Sequence, residues 1–256
     1  MLLTIDIGNT NITLGIFAGE TLGPRLRLAT NSGKTADEYG ITMLDAFRRM
    51  DIAAMDIHAV ALASVVPTLT PLLAEGCEKY LKHRPLIVDG TMRTGLRSLY
   101  DDPRQLGADR IVDAAAAYKL YGGPVCVIDF GTATTFDAVS ASGDFLGGAI
   151  APGIGITAEA LFRRAARLPK VELETPPAVI GHNTRQSLQS GLIYGHVGLV
   201  EGMVARFRAE LGADTKVVAT GGLSVVIARE TESIDILAPW LMLDGLRIIH
   251  ELNSHS

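Results

Sequence analysis

The chain has 256 residues, 48% apolar and 20% charged, and its 28 acidic against 23 basic side chains leave a net charge of −5. That length allows one large domain or two modest ones, and the acidic balance offers nothing to nucleic acid or an anionic membrane. No apolar run approaches the roughly 18 residues of a membrane span, and Asp6 comes too early for a secretory signal, so a cytoplasmic protein is expected.

In chain order, strands are expected at LLTIDI, NITLGIF and RLRLAT, followed by a helix over TADEYGITMLDAFRRM with Thr35 and Glu38 spaced as a capping box. HAVALASVV reads as a buried strand, TLTPLLAEGCEKYLK as a helix and RPLIVDG as a strand. A loop rich in Gly, Asp and Pro runs from Thr91 to Gly107, and GADRIVDAAAAYKLYGG is a helix closed by glycines. From Val125 the order restarts. VCVIDFG and TTFDAVSASGDFLGGAI are strands with a Ser-Gly-Asp turn, and TAEALFRRAARL and SLQSGLIYGHVGLVEGMVARFRAELG are helices. KVVATGG is a strand and LAPWLMLDGLRIIHELN a closing helix. Cys77 and Cys126 stand alone, without metal-ligand spacing, and are expected to be core thiols.

The main feature is a duplication. A strand–turn–strand unit with Asp-x-Gly and a nearby Thr opens each half: Asp6, Gly8 and Thr10 in DIGNT, and Asp129 and Gly131-Thr132 in DFGT. One such hairpin is ordinary turn chemistry. Two, each heading an α/β half, point to a cleft between related domains, divided here as 1–118 and 119–256. The parts also suit a nucleotide phosphate chain. Glycine lets the backbone approach closely, turn amides form an anion-binding nest, and Mg²⁺ commonly takes only one or two carboxylates.

Two other patterns compete. Gly33-Lys34-Thr35 ends like a phosphate-binding loop, but Leu28 stands where the first glycine is required, so Lys34 reads as a solvated residue beside a helix cap. Gly153-x-Gly155-x-x-Ala158 imitates a dinucleotide fingerprint, yet the segment before it is the return of a hairpin. A phosphate or substrate contact at that helix start stays open.

Taken together and in order, MLLTIDIGNTNITLGIF, GADRIVDA, VIDFGTATTFD, LGGAIAPG, NTRQSLQSG and ATGGLS resemble the type III pantothenate kinase family. The resemblance spans nearly the whole chain. It implies the actin-like, sugar-kinase-like ATPase fold: α/β, with two similar ribonuclease-H-like halves, each a mixed sheet opened by a β-hairpin and flanked by helices. It also implies ATP-dependent phosphorylation of pantothenate, the first step toward coenzyme A.

Carried over residue by residue, the resemblance assigns ATP binding to Asp6, Ile7, Gly8, Asn9, Thr10, Asn11, Ile12 and Thr13, and to Thr132 in the second loop. Asp6 falls on the Mg²⁺ side, and Asp129 matches the ligand of an activating monovalent cation, K⁺ or NH₄⁺. Gly107, Ala108, Asp109 and Arg110 match the catalytic segment, with Asp109 accepting the proton of the pantothenate hydroxyl and Arg110 able to pair with an anionic group. Tyr100 and Thr184 match substrate contacts, although Thr184 is equally a helix N-cap. Gly221-Gly222 suits the adenosine side. The family implies a homodimer, and Gly191, Gly195, Gly198 and Gly202 would allow close helix packing there, though packing within one subunit explains them as well.

The chain departs from the family at Val88-Asp89-Gly90-Thr91-Met92-Arg93-Thr94-Gly95, where a Gly-Pro-Gly run is common, and this bears on the shape of the substrate-side loop. Two other readings use the same hairpins. One is a sugar or polyphosphate kinase or phosphatase, which need not carry Gly107–Arg110. The other is a nucleotide-sensing regulator, which would not need Asp109.

Overall fold

The computed structural model describes residues 1–165 and 168–254. Its contacts gather into two compact units, one made of Met1–Leu96, Asp101–Ala116 and Met242–Ser256, the other of Arg97–Tyr100 and Ala117–Leu241.

In the first unit, β1 (Leu2–Ile7), β2 (Asn11–Ala18) and β3 (Thr21–Ala29) form an antiparallel meander, and β4 (Ala59–Ser64) and β5 (Leu86–Ile87) extend it in parallel. The sheet order is β3-β2-β1-β4-β5. Alternation along β1 sends Leu3, Ile5 and Ile7 into a core with Leu62 of β4. Tyr39, Met43 and Phe47 of α1 (Ala36–Arg49) and Leu73 and Cys77 of α2 (Thr70–Leu81) cover that face. Each such buried side chain contributes about 1.5–3 kcal/mol, so truncating Leu62 to Ala would cost about 2–5 kcal/mol.

The expected capping box forms: the Glu38 amide donates to Thr35 Oγ1 at 3.3 Å, and the Thr35 amide to Glu38 Oε2 at 2.8 Å. These bonds from Thr35 hold the Glu38 carboxyl below its ordinary range. Half-buried Lys34 lies beside the cap with its Nζ 5.5 Å from the Tyr39 ring centroid.

The second unit repeats the plan. β7 (Val125–Phe130), β8 (Ala133–Val139) and β9 (Asp144–Pro152) form the meander, and β10 (Lys216–Thr220) and β11 (Ile236–Leu237) the parallel extension. Within the order β11-β10-β7-β8-β9-β6, the first five strands mirror the first sheet, and β6 (Arg97–Ser98) is added at the edge. The duplication seen in the sequence is therefore one of topology. α4 (Ile154–Arg164), α5 (Thr184–Leu211) and α6 (Ser224–Ala228) accompany this sheet, with Leu192, Ile193, Val197 and Val200 of α5 packed on Ile128 and Phe136.

Several element bounds differ from expectation. α4 begins at Ile154 rather than Thr157, because Gly153 takes the N-cap position. The expected helix there ran to Leu168, and its positions 166 and 167 lie outside the described residues. α5 begins at Thr184 rather than Ser187, because the Asn183 side chain accepts the Gln186 amide at 3.0 Å. Thr184 is thus the first helical residue and not the cap. The closing helix, α7 (Leu241–Ser254), starts later than expected and belongs to the first unit, whereas the division at residue 118 put it in the second half. There it packs closely: Leu243 reaches Gly15, and Gly245 lies against Val112 of α3 (Ala108–Tyr121).

Both cysteines are buried and unpaired, and burial pushes each thiol up to about 12. No described helix is long and apolar enough to cross a membrane.

Candidate active site

In the first unit, Asp6 stands one residue before the end of β1, in register with Thr13 of β2, and the turn between the strands runs from Gly8 to Thr10. The Gly8 amide donates to the Asn11 carbonyl at 3.0 Å and closes the turn. Thr30, just past β3, braces it from the side: its hydroxyl donates to the Gly8 carbonyl at 2.6 Å, and its amide to the Thr10 carbonyl at 3.0 Å. With these carbonyls engaged inward, Asn9, Thr10 and Asn11 stay exposed. That is the surface an anion-binding nest needs. Ile7 and Ile12, by contrast, are fully buried and anchor the two strands.

Gly107 to Arg110 lie in the same unit, at the start of α3. Asp109 occupies the first helical turn, where its Oδ1 accepts the Arg110 amide at 2.9 Å. Burial pushes its carboxyl above the ordinary carboxylate range, against the opposing pull of that amide and of the Arg110 charge. Gly107 makes the position possible. A Cβ there would stand 2.4 Å from Asp109 Oδ1. Arg110 itself is almost fully buried.

Ala108 and Leu106 border a recess of about 390 Å³, also lined by Ser64, Asp89, Thr91 and Arg104. It lies beyond the carboxyl ends of β4 and β5, the usual place for ligands in such sheets. Asp89 belongs to the loop that departs from the family pattern. Its carboxylate closes its own turn, accepting the Thr91 amide at 2.8 Å and hydroxyl at 2.6 Å.

In the second unit, half-buried Asp129 stands on β7, in register with Thr135 of β8 and Thr220 of β10. Two glycines wall its carboxylate. A Cβ on Gly221 would stand 2.3 Å from Oδ1, and one on Gly131 2.9 Å from Oδ2. Gly221, expected on the adenosine side, is therefore first a neighbour of Asp129, which no local sequence signal announced. Its φ of +89° also favours glycine. Thr132 is exposed at the turn, and Thr184 is exposed at the start of α5.

Tyr100 belongs to this unit as well. Its ring meets Phe145 of β9 at 6.1 Å between centroids, while the Leu99 amide donates to the Phe145 carbonyl at 2.9 Å. Arg97 of β6 secures the segment through Asp144 at 2.6 Å and holds that carboxyl below its usual range. The structure thus groups Asp6 to Thr13 with Gly107 to Arg110 in one unit, and Tyr100, Asp129, Thr132 and Thr184 in the other.

A five-stranded sheet of the same order in each unit, headed in each by an Asp-x-Gly turn, defines a protein of the actin-like α/β fold. Solved structures agree on the fold. A Campylobacter jejuni protein described as a Baf family transcriptional activator aligns over 99% of this chain and 100% of its own, with a TM-score of 0.62 at 21% identity. An inorganic polyphosphate/ATP-glucomannokinase from Arthrobacter aligns over 100% and 99%, with a TM-score of 0.50 at 15% identity.

The sequence profile of type III pantothenate kinases matches residues 2–206. Type III pantothenate kinases of Moorella thermoacetica and Myxococcus xanthus are 53% and 50% identical to the chain, covering 99% and 100% of it and 100% of their own lengths. The chain belongs to the type III pantothenate kinase family, which phosphorylates pantothenate in coenzyme A biosynthesis.

Proposed function

We propose that the chain transfers the γ-phosphoryl group of ATP to the primary hydroxyl of pantothenate, with Asp109 as the base. Asp109 takes the hydroxyl proton as the oxygen attacks the γ-phosphorus, and ADP departs with the electrons of the broken bond. The observation that carries this reading is the Asp109 carboxylate itself. It sits at a helix start, raised in basicity by burial and given room by Gly107. Phosphoryl transfer asks mainly for positioning and charge stabilisation, and a carboxylate that orients one hydroxyl meets the first demand.

The turn from Asp6 to Thr13 and the turn at Thr132 hold the nucleotide phosphates through backbone amides and hydroxyls. Tyr100, Gly107, Ala108, Arg110 and Thr184 bind pantothenate, with Arg110 pairing its carboxylate. The recess beside Ala108 is of a size for a small substrate.

Among the described residues no group of three or more His, Cys, Asp or Glu side chains could hold a metal. Mg²⁺ bound mainly by phosphates and water needs no such group, and Asp6 fits as its single carboxylate. The Asp129 carboxylate fits as a ligand of K⁺ or NH₄⁺, held between Gly131 and Gly221 where a side chain at either position would displace it. When bound, these cations would offset negative charge around the phosphates.

A homodimer is part of this reading. Among the described residues, nothing lies within 4 Å of where a Cβ would stand on Gly191, Gly195 or Gly198 of α5, so their open side is available to a second copy. A cytoplasmic location suits a substrate pair of ATP and pantothenate.

The test is release of ADP by the purified protein offered pantothenate or a panel of sugars. Turnover with pantothenate supports the proposal, and turnover only with a sugar refutes it.

A further inference from the structure

β3 ends at Ala29, in register with Asn11 of β2, so Thr30 follows directly beside the first phosphate turn. Its hydroxyl donates to the Gly8 carbonyl at 2.6 Å and its amide to the Thr10 carbonyl at 3.0 Å. The peptide bonds after Gly8 and Thr10 are trans, so in each the N–H points opposite to the carbonyl. Drawing both carbonyls toward Thr30 therefore turns the Asn9 and Asn11 amides away from it. Amides turned outward attract a phosphate, whereas carbonyls in their place would repel it.

Thr30 is itself held from the core. Tyr39 of α1 is 1% exposed and belongs to the cluster that contains Met43 and Phe47. Its phenol donates to the Asn31 carbonyl at 2.8 Å and accepts the Asn31 amide at 3.2 Å. One buried hydroxyl thus engages both backbone groups of the residue next to Thr30. Asn31 adds a turn of its own, its Oδ1 accepting the Gly33 amide at 2.9 Å. From core to phosphate turn the connection is continuous, and all of it lies in the first unit: Tyr39 phenol, Asn31 backbone, Thr30, then Gly8 and Thr10.

We propose that Thr30 and Tyr39 are positioning residues for nucleotide binding, Thr30 orienting the amides of the first phosphate turn and Tyr39 holding Thr30 in place. Both act through the turn rather than on the nucleotide. The inference rests on the nucleotide role given above to the turn from Asp6 to Thr13. It requires the two hydroxyls and not the volume of either side chain. Valine keeps the shape of Thr30 without the donor, serine keeps the donor, and phenylalanine keeps the Tyr39 ring without its hydroxyl.

The experiment is calorimetric titration of MgATP into wild type, T30V, T30S, Y39F and N9D, together with steady-state kinetics. N9D places a negative charge on the exposed turn and tests whether phosphates bind there at all. Expected is a dissociation constant raised about fivefold to tenfold in T30V, the size of one lost hydrogen bond, and about twofold to fivefold in Y39F, one step further away. T30S should stay within about twofold of wild type, and the KM for pantothenate should stay within about twofold in T30V, T30S and Y39F. A merely loosened protein would weaken both substrates together, and serine would not restore it. The valine–serine contrast keeps the test valid if Y39F fails to fold. Wild-type affinity in T30V or Y39F, or a T30S as weak as T30V, overturns the proposal. If N9D is weakened while T30V and Y39F are not, only the brace is wrong. If none is weakened, the nucleotide role of the first turn fails with it.

Discussion

Gly221 lies against the carboxylate of Asp129 so closely that any side chain at 221 would displace it: a Cβ would stand 2.3 Å from Oδ1 and 2.6 Å from the Phe130 amide nitrogen. The contact arises because β10 runs parallel to β7 with Thr220 opposite Asp129, so the chain leaves the sheet directly beside the acid. Ser224 locks the exit, its hydroxyl donating to the Gly221 carbonyl at 2.7 Å.

Gly221→Ala should therefore cut turnover by about tenfold or more and raise the K⁺ concentration needed for half-activation, with a stability loss of about 1–3 kcal/mol from the positive φ and the clash. Activity titrated against K⁺ and NH₄⁺, beside thermal unfolding, checks both parts. A variant with wild-type activation by monovalent cations would remove Asp129 from that role.

Asp109 gives a pH dependence whose sign is fixed by burial. As the base it works only when ionised, so kcat/KM should fall on the acid side through an apparent pKa above the ordinary carboxylate range. Stability runs the other way. A carboxyl whose folded pKa lies above its unfolded value favours folding most at low pH, and that contribution is lost as pH rises through the folded pKa. Asp109→Asn should then keep or raise the thermal midpoint at neutral pH while turnover collapses. A lower midpoint would mean that the carboxylate is structural.

Gly107→Ala tests the same centre without replacing the acid. Its Cβ would stand 2.4 Å from Asp109 Oδ1 and must push the carboxylate aside. A fall in kcat of about tenfold to a hundredfold is expected from the misplaced base. Affinity for ATP, measured by titration without pantothenate, should be unchanged.

Much of this was legible in the sequence where the determinants are local. The hairpins at Asp6 and Asp129 read correctly because alternation and turn residues lie within 15 residues of each other. The cap of α1 read correctly because Thr35 and Glu38 are three apart. β6 did not, because two residues in a Gly- and Asp-rich loop become a strand only by pairing with Asp144 and Phe145 of β9. The attachment of α7 to the first unit was equally hidden. Its apolar face is plain in LMLDGLRIIH, but that it meets Gly15 and Val112 depends on the fold alone. Asp109 was assigned as the base through resemblance, whereas its raised basicity and the Gly221 wall depend on contacts made only after folding.

Asn183→Ala addresses the substrate side. Removing this N-cap should cost about 1 kcal/mol and fray the first turn of α5, where Thr184 sits. If Thr184 contacts pantothenate, the KM for pantothenate should rise severalfold while that for ATP does not change. Equal effects on both would indicate general loosening instead.

The most direct measurement is pantothenate-dependent release of ADP by the purified chain with MgATP and K⁺, run beside Asp109→Asn. The account predicts turnover in the wild type, and a variant slower by about a hundredfold or more that still binds ATP. Turnover in the variant near the wild-type rate, or none in the wild type with pantothenate, would contradict it.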